Sequence, residues 1–205
     1  MQTQINDSQQ KRELRRIVDG KAMKHNFPLQ VTIQLLKQCH MRCVFCYVAY
    51  ESPSVLSLEI LSRLFEELYQ MRTMLITLTG GEIFLRKDLE QIFKMLADYK
   101  FGVSIQTTAM HITPEWAEKL KFYCVSYVFV SLYSHIPDHH DELTKRKGSF
   151  EKTLQGIQNL IQTGIKTSIS CLVTKVNIND LEGIESLAHE LKIPISSSHE
   201  IKEHE

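Results

Sequence analysis

From position 29 to 191 one pattern repeats along the chain. A short run of β-branched and apolar residues is followed by a polar turn, and then by apolar residues spaced i, i+3, i+4 and i+7 along one helical face. The runs at 31–36, 74–79, 102–107, 127–132 and 167–173 predict five strands. Between them, Leu61, Leu64, Phe65 and Leu68 form an apolar stripe behind Ser57 as N-cap, and Leu89, Ile92, Phe93 and Leu96 form another behind a capping box of Asp88 and Gln91. Thr113-Pro114 marks a third helix start, with proline where its missing N–H has no partner to lose. Gly148-Ser149 introduces a helix that packs through Phe150, Leu154, Ile157, Leu160 and Ile161, and a helix from Asn179 or Asp180 packs through Leu181, Ile184, Leu187 and Leu191. Ahead of all this, residues 1–28 read as a polar lead-in, with a short helix over 11–17 and a stop at Asn26-Phe27-Pro28. Its basic run reads as a solvated face.

Strict alternation of strand and helix predicts an α/β fold with a parallel sheet and right-handed crossovers, either an open sheet or a barrel-like array. In both, chemistry gathers on loops at the carboxyl ends of the strands. Residues 193–198 suit a short sixth strand, and the sequence stops at Glu205 without room for a helix to follow it. The expected organisation is therefore a lead-in over 1–28 and one domain over 29–205 that lacks its last helix.

Charge narrows the function. Lys+Arg 24 against Asp+Glu 24 gives a formal charge of zero, which argues against a nucleic-acid partner. The polar start lacks the apolar core of a signal peptide, and no stretch approaches the ~20 apolar residues of a membrane span, so a cytoplasmic protein without a membrane partner is expected. Five cysteines without a secretory signal favour a metal or thiol role over disulfides.

Three of those cysteines concentrate the chemistry. Cys39, Cys43 and Cys46 lie within the stretch from Cys39 to Tyr47, directly after the first predicted strand, with the spacing C-x₃-C-x₂-C. Three thiolates on one loop can hold three corners of a cubane iron-sulfur cluster and leave the fourth iron open to a ligand. The rival is a tetrahedral zinc site with His40 as fourth ligand, although zinc modules pair knuckles from separate segments. After the second strand comes Gly80-Gly81-Glu82, on the same rim. Adjacent glycines let backbone approach a ligand, and a carboxylate accepts from an ammonium group. Cys124 and Cys171 sit in apolar contexts and are expected to be buried packing residues. His135, His139 and His140 are expected to be exposed loop residues with no metal.

These residues resemble the radical S-adenosylmethionine enzymes. The cysteine spacing, Phe45 just before the third cysteine, Gly80-Gly81-Glu82 after the second strand and the order of βα units all match that family. The runs 130–134, 140–144 and 148–154 are similar to its SPASM-type subgroup, which modifies ribosomally made peptides or activates other enzymes. The resemblance implies a partial (β/α)6-type TIM-like barrel, incomplete at its C-terminal end and without the SPASM domain. It implies a [4Fe-4S] cluster on Cys39, Cys43 and Cys46, with S-adenosyl-L-methionine held by Gly80, Gly81 and Glu82 at its ammonium, Phe45 at its adenine and Ser131 at its ribose or carboxylate. Arg146 or Lys145 is the expected partner of the methionine carboxylate. An electron from a flavodoxin or ferredoxin would cleave the sulfonium and give a 5′-deoxyadenosyl radical, with a peptide as substrate. A cluster-binding or partner-binding fragment without turnover is the alternative. The sequence departs from the family at His40, where Asn is common, at Ile83, where Pro is common, and at Thr107-Thr108-Ala109, where Thr-Asn-Gly is common.

Overall fold

A computed structural model describes residues 7–46 and 55–198; Tyr47, at the end of the cysteine-rich stretch, lies outside them. Helix α1 (Asp7–His25) is longer than the short lead-in helix expected, and ends where expected: Asn26 takes φ 53 and Phe27 N donates to Ala22 O at 3.2 Å, a left-handed cap of the kind asparagine tolerates. Six strands follow in chain order: β1 (Gln30–Gln34), β2 (Leu75–Thr79), β3 (Gly102–Thr107), β4 (Val125–Ser131), β5 (Thr167–Leu172) and β6 (Ile195–Ser198). All pair in parallel, and their spatial order is their sequence order, β1 to β6. An order that never reverses is the winding of a barrel wall rather than of a doubly wound sheet. The ladder joins neither β1 nor β6 to the other, so the wall is a partial barrel.

Helices α2 (Leu58–Gln70), α3 (Leu89–Asp98), α4 (Pro114–Phe122), α5 (Pro137–Thr144), α6 (Ser149–Thr163) and α7 (Leu181–Glu190) link the strands. The apolar face of the wall, Ile33, Ile76, Leu78, Val103, Ile105, Val128, Val130 and Ile169, is buried with Leu61, Phe65, Ile92, Phe93, Leu96, Ile157, Leu160 and Ile184 of the helices. The other face is polar and bonds to itself: Gln30 Nε2 donates to Thr77 Oγ1 (3.2 Å), Thr77 and Ser104 hydroxyls meet at 2.8 Å, and Thr79 Oγ1 donates to Gln106 Oε1 (2.9 Å).

Ser57 and Thr113 cap α2 and α4 as expected, their hydroxyls accepting from Ile60 N and Trp116 N. The capping box at Asp88 and Gln91 does not form. The Asp88 carboxylate is engaged by the Arg86 guanidinium, Nε to Oδ1 at 2.8 Å and Nη2 to Oδ2 at 2.7 Å, and this bidentate pair outcompetes a single amide. Arg86 also ties Leu35 O and Leu56 O, the two ends of the loop that carries the cysteines. Cys171 is buried as expected, whereas Cys124 is exposed: it takes φ 57 in the turn between α4 and β4, where no wall covers it.

Candidate functional site

The three cysteines sit on a loop that runs from β1 over the carboxyl ends of the strands, and other elements pin it from two sides. From below, Gly81 N donates to Leu36 O and Glu82 N to Gln38 O, both at 2.9 Å. From the side, Arg42 N donates to Thr144 O (3.0 Å) and Val44 N to Leu143 O (2.9 Å), carbonyls at the end of α5. That helix occupies a span read from the sequence as loop, although Pro137 at its first turn is a start signal. Met41 packs beneath the loop, 2% exposed.

So held, Cys39, Cys43 and Cys46 line one cavity of about 200 Å³, together with Phe45, Thr79, Gly80, Gly81, Gln106, Thr107, Thr108, Ser131, Tyr133 and Leu172. Every strand from β1 to β5 delivers a residue to it from its carboxyl end or the loop beyond. Phe45 lies edge-on to Tyr133, ring centroids 4.6 Å apart. All five cysteines are free thiols, and the three on the loop are half-buried. Burial, then its neighbours Cys46 and Cys39, push Cys43 up to about 12. Cys39 is raised as well, by burial first, against the hydrogen bond from Met41 N. Three free thiols on one loop, facing one cavity, are the donor set that an iron-sulfur centre would take as thiolates. The residues fit that group. They do not fit the zinc alternative: His40 turns out of the cavity, its Nε2 2.9 Å from Met110 Sδ and its ring edge-on to His111. Among the described residues, no three His, Cys, Asp or Glu side chains are arranged to hold a single ion.

Gly80 and Gly81 are on the cavity wall, and packing requires them besides any ligand. A Cβ on Gly81 would lie 2.2 Å from Gln38 O, and one on Gly80 would lie 2.7 Å from Leu36 O. Glu82 is placed differently from the expectation. Its side chain is fully buried behind the wall, with Oε1 accepting from Thr107 Oγ1 (2.8 Å) and Phe84 N (3.2 Å) and Oε2 from Thr108 N (2.8 Å) and Thr108 Oγ1 (2.5 Å). The carboxylate thus fastens the loop after β2 to the end of β3. Among its partners is Thr108, which stands where the family commonly has Asn. Gln106, Thr107, Thr108 and Tyr133, which line the cavity, were not picked out as site residues; their place at strand ends is the signal that could have found them.

Arg146 is not part of this cavity. It lines a second one, of about 330 Å³, with His40, Leu85, Met110, His111, Ile112, Thr113, Pro114, Lys152, Gln155, Gly156 and Asn159. Burial, then the charges of His111, Arg146 and Lys152, hold His40 down to about 4. Nor are the three histidines after β4 uniformly exposed. His140 is fully buried, stacked on Tyr133 with its Nδ1 accepting from Tyr133 N at 3.3 Å, and burial holds it near 4. His139 Nδ1 lies 2.6 Å from Asp180 Oδ2, while His135 is exposed.

A parallel partial barrel with three loop cysteines around a cavity at the carboxyl ends of its strands defines a class of metal-dependent barrel protein. Comparison with known sequences then gives the family: the pattern of the Radical SAM superfamily matches residues 33–188, and the chain belongs to that superfamily. It is 32% identical to the Fe-coproporphyrin III synthase of Methanosarcina barkeri over 80% of this chain and 42% of that protein. It is 29% identical to the mycofactocin maturase MftC of Mycolicibacterium smegmatis, over 78% of this chain and 42% of that one. The fold matches that of Streptococcus suis SuiB, solved with its precursor peptide SuiA, with a TM-score of 0.75 at 19% identity, over 100% of this chain and 49% of SuiB. The chain thus spans less than half the length of these relatives. No helix among the described residues is long and apolar enough to cross a membrane.

Proposed function

We propose that residues 29–205 form a radical S-adenosylmethionine core of the SPASM-type subgroup, with 1–28 as a lead-in, and that it modifies a peptide. The observation that carries this reading is the convergence of Cys39, Cys43 and Cys46 on one cavity with the Gly80-Gly81 backbone. Cys39, Cys43 and Cys46 would hold a [4Fe-4S] cluster and leave its fourth iron to the amino and carboxyl groups of the methionine. When bound, the cluster and S-adenosylmethionine would supply one-electron reductive cleavage of the sulfonium and, through it, radical hydrogen abstraction.

The chain's own residues bind, orient and exclude water. Gly80 and Gly81 would offer backbone to the amino group, Phe45 a ring face to the adenine, and Ser131 a hydroxyl to the ribose or carboxylate. Glu82 acts through these residues as a positioning group, since its own oxygens are already occupied. Leu172, Tyr133 and Met41 supply apolar surface that limits solvent at the thiols. The remaining wall, Thr79, Gln106, Thr107 and Thr108, is neutral and rich in hydroxyl and amide groups, which suits a peptide backbone as substrate. A maturase among the relatives and a neighbouring structure holding a precursor peptide support the same choice. A cytoplasmic flavodoxin or ferredoxin would donate the electron; a formal charge of zero gives no support to a nucleic-acid partner.

The test is anaerobic. The chain is reconstituted with iron and sulfide, reduced with dithionite and given S-adenosylmethionine, and 5′-deoxyadenosine is quantified against Cys46→Ala. The expected result is cleavage in the parent and none in the variant. A parent with a loaded cluster and no cleavage above the variant would overturn the catalytic reading in favour of a cluster-binding unit without turnover.

A further inference from the structure

The second cavity shares no lining residue with the first, and consecutive residues divide between them: Cys39 lines the first and His40 the second. They differ in charge. No charged side chain lines the cysteine cavity among the described residues, whereas the cations Arg146 and Lys152 share the wall of the other, and no carboxylate lines it. Neither the Arg146 guanidinium nor the Lys152 ammonium forms an ion pair among the described residues. Glu142 and Glu151, the acids nearest to them in sequence, do not line the cavity, and Asp141 is engaged elsewhere. Asp141 accepts from Ser149 N (2.9 Å), Ser149 Oγ (2.7 Å), Phe150 N (3.0 Å) and Gly148 N, and so caps α6 instead. Like charges held together without a counter-ion repel one another, and an anion placed between them relieves that. Leu85, Met110, Ile112 and Pro114 give the same wall an apolar part, beside the polar Thr113, Gln155 and Asn159.

We propose that this cavity is an anion subsite that takes a carboxylate carried on an apolar stem. Two sources share that chemistry, an acidic side chain of a peptide and a free small acid. The Arg146 guanidinium and the Lys152 ammonium, both on this wall, supply the charge-assisted hydrogen bonds, and Leu85, Met110, Ile112 and Pro114 take the stem, which inorganic phosphate lacks. The site does not depend on turnover, so it stands or falls separately from the function proposed above. It also gives Arg146 a ligand other than the methionine carboxylate.

Calorimetric titration of the full chain tests it, with hexanoate, hexanamide, inorganic phosphate and a pair of blocked peptides as probes. Hexanoate should bind, and hexanamide and inorganic phosphate should bind at least about tenfold more weakly. A blocked Ala-Glu-Leu peptide that binds while its glutamine counterpart does not identifies a peptide as the source. Hexanoate binding without peptide binding identifies a free acid. Arg146→Gln and Lys152→Gln should each weaken hexanoate about tenfold, and Lys147→Gln, off the cavity, should leave it unchanged. Phosphate or hexanamide binding as tightly as hexanoate, an equal loss in all three variants, or displacement of hexanoate by S-adenosylmethionine would each overturn the proposal. Displacement would return Arg146 to the cofactor site.

Discussion

In front of the cavity wall stand three thiols, half-buried and free of disulfides; behind the same wall stands one carboxylate, fully buried and holding four hydrogen bonds. The thiols leave their bonding capacity to a ligand, and the carboxylate has spent its own on the fold. The two come from neighbouring loops joined by Gly81 N to Leu36 O and Glu82 N to Gln38 O. A site that must remain under-bonded is therefore kept in shape by one that is saturated. Variants in front should change what the protein binds, and variants behind should change whether it stays folded.

The largest effect expected on stability is from Glu82→Ala. Removing the carboxylate leaves Thr107, Thr108 and Phe84 donors buried without partners, at a cost of roughly 3 kcal/mol. Urea unfolding of the cluster-free chain should show that loss, while Cys43→Ala, read the same way, should stay within about 1 kcal/mol of the parent. Equal losses would erase the distinction between front and back. Gly81→Ala comes next. Its Cβ would meet Gln38 O at 2.2 Å, and backbone cannot move aside as a flexible side chain can, so about 2 kcal/mol of overpacking is expected. It should also lower iron loading, because it pushes on the cysteine loop itself; normal loading would mean that the loop yields without moving its thiols.

Asp141 sharpens the comparison from the far side of the loop. Burial pushes its carboxyl up, but hydrogen bonds from the Ser149 hydroxyl and the amides of Phe150, Gly148 and Ser149 outweigh this and hold it below its ordinary value. A depressed carboxyl contributes stability above its unfolded value and loses it as pH falls. Asp141→Ala should therefore cost about 1.5 kcal/mol at neutral pH, with the gap to the parent closing below about pH 4. A gap independent of pH would mean that packing, not the ionised cap, is responsible. The smallest effect is at Ser57, which caps α2 remote from the site: Ser57→Ala should lower stability by about 1 kcal/mol and leave iron loading intact.

Much of this was legible in advance. The five predicted strands and the sixth short one lie close to where the alternation of strand and helix put them, since a strand with only one face against helices is apolar at alternate positions whatever its neighbours do. The caps at Ser57 and Thr113 are likewise local, each made within three residues. The cysteines were legible because thiol spacing along one loop limits how far apart the sulfurs can lie. The failures share another cause. The pattern at Asp88 and Gln91 fits a capping box, but Arg86 lies two residues away and offers a bidentate partner. Cys124 was assigned to the core from its apolar neighbours, and a left-handed turn put it outside.

By itself, then, the sequence determined the βα alternation, the family and the loop that carries the thiols, all of which depend on periodicity or on spacing within a few residues. The tertiary structure alone decided that Glu82 faces Thr107 and Thr108 across 25 and 26 positions. It alone decided that α5 holds the cysteine loop by its terminal carbonyls, and that Arg146 lines a different cavity from the thiols. Side-chain direction at a strand end depends on how neighbouring loops pack. No local pattern encodes a partner that the fold brings from another strand.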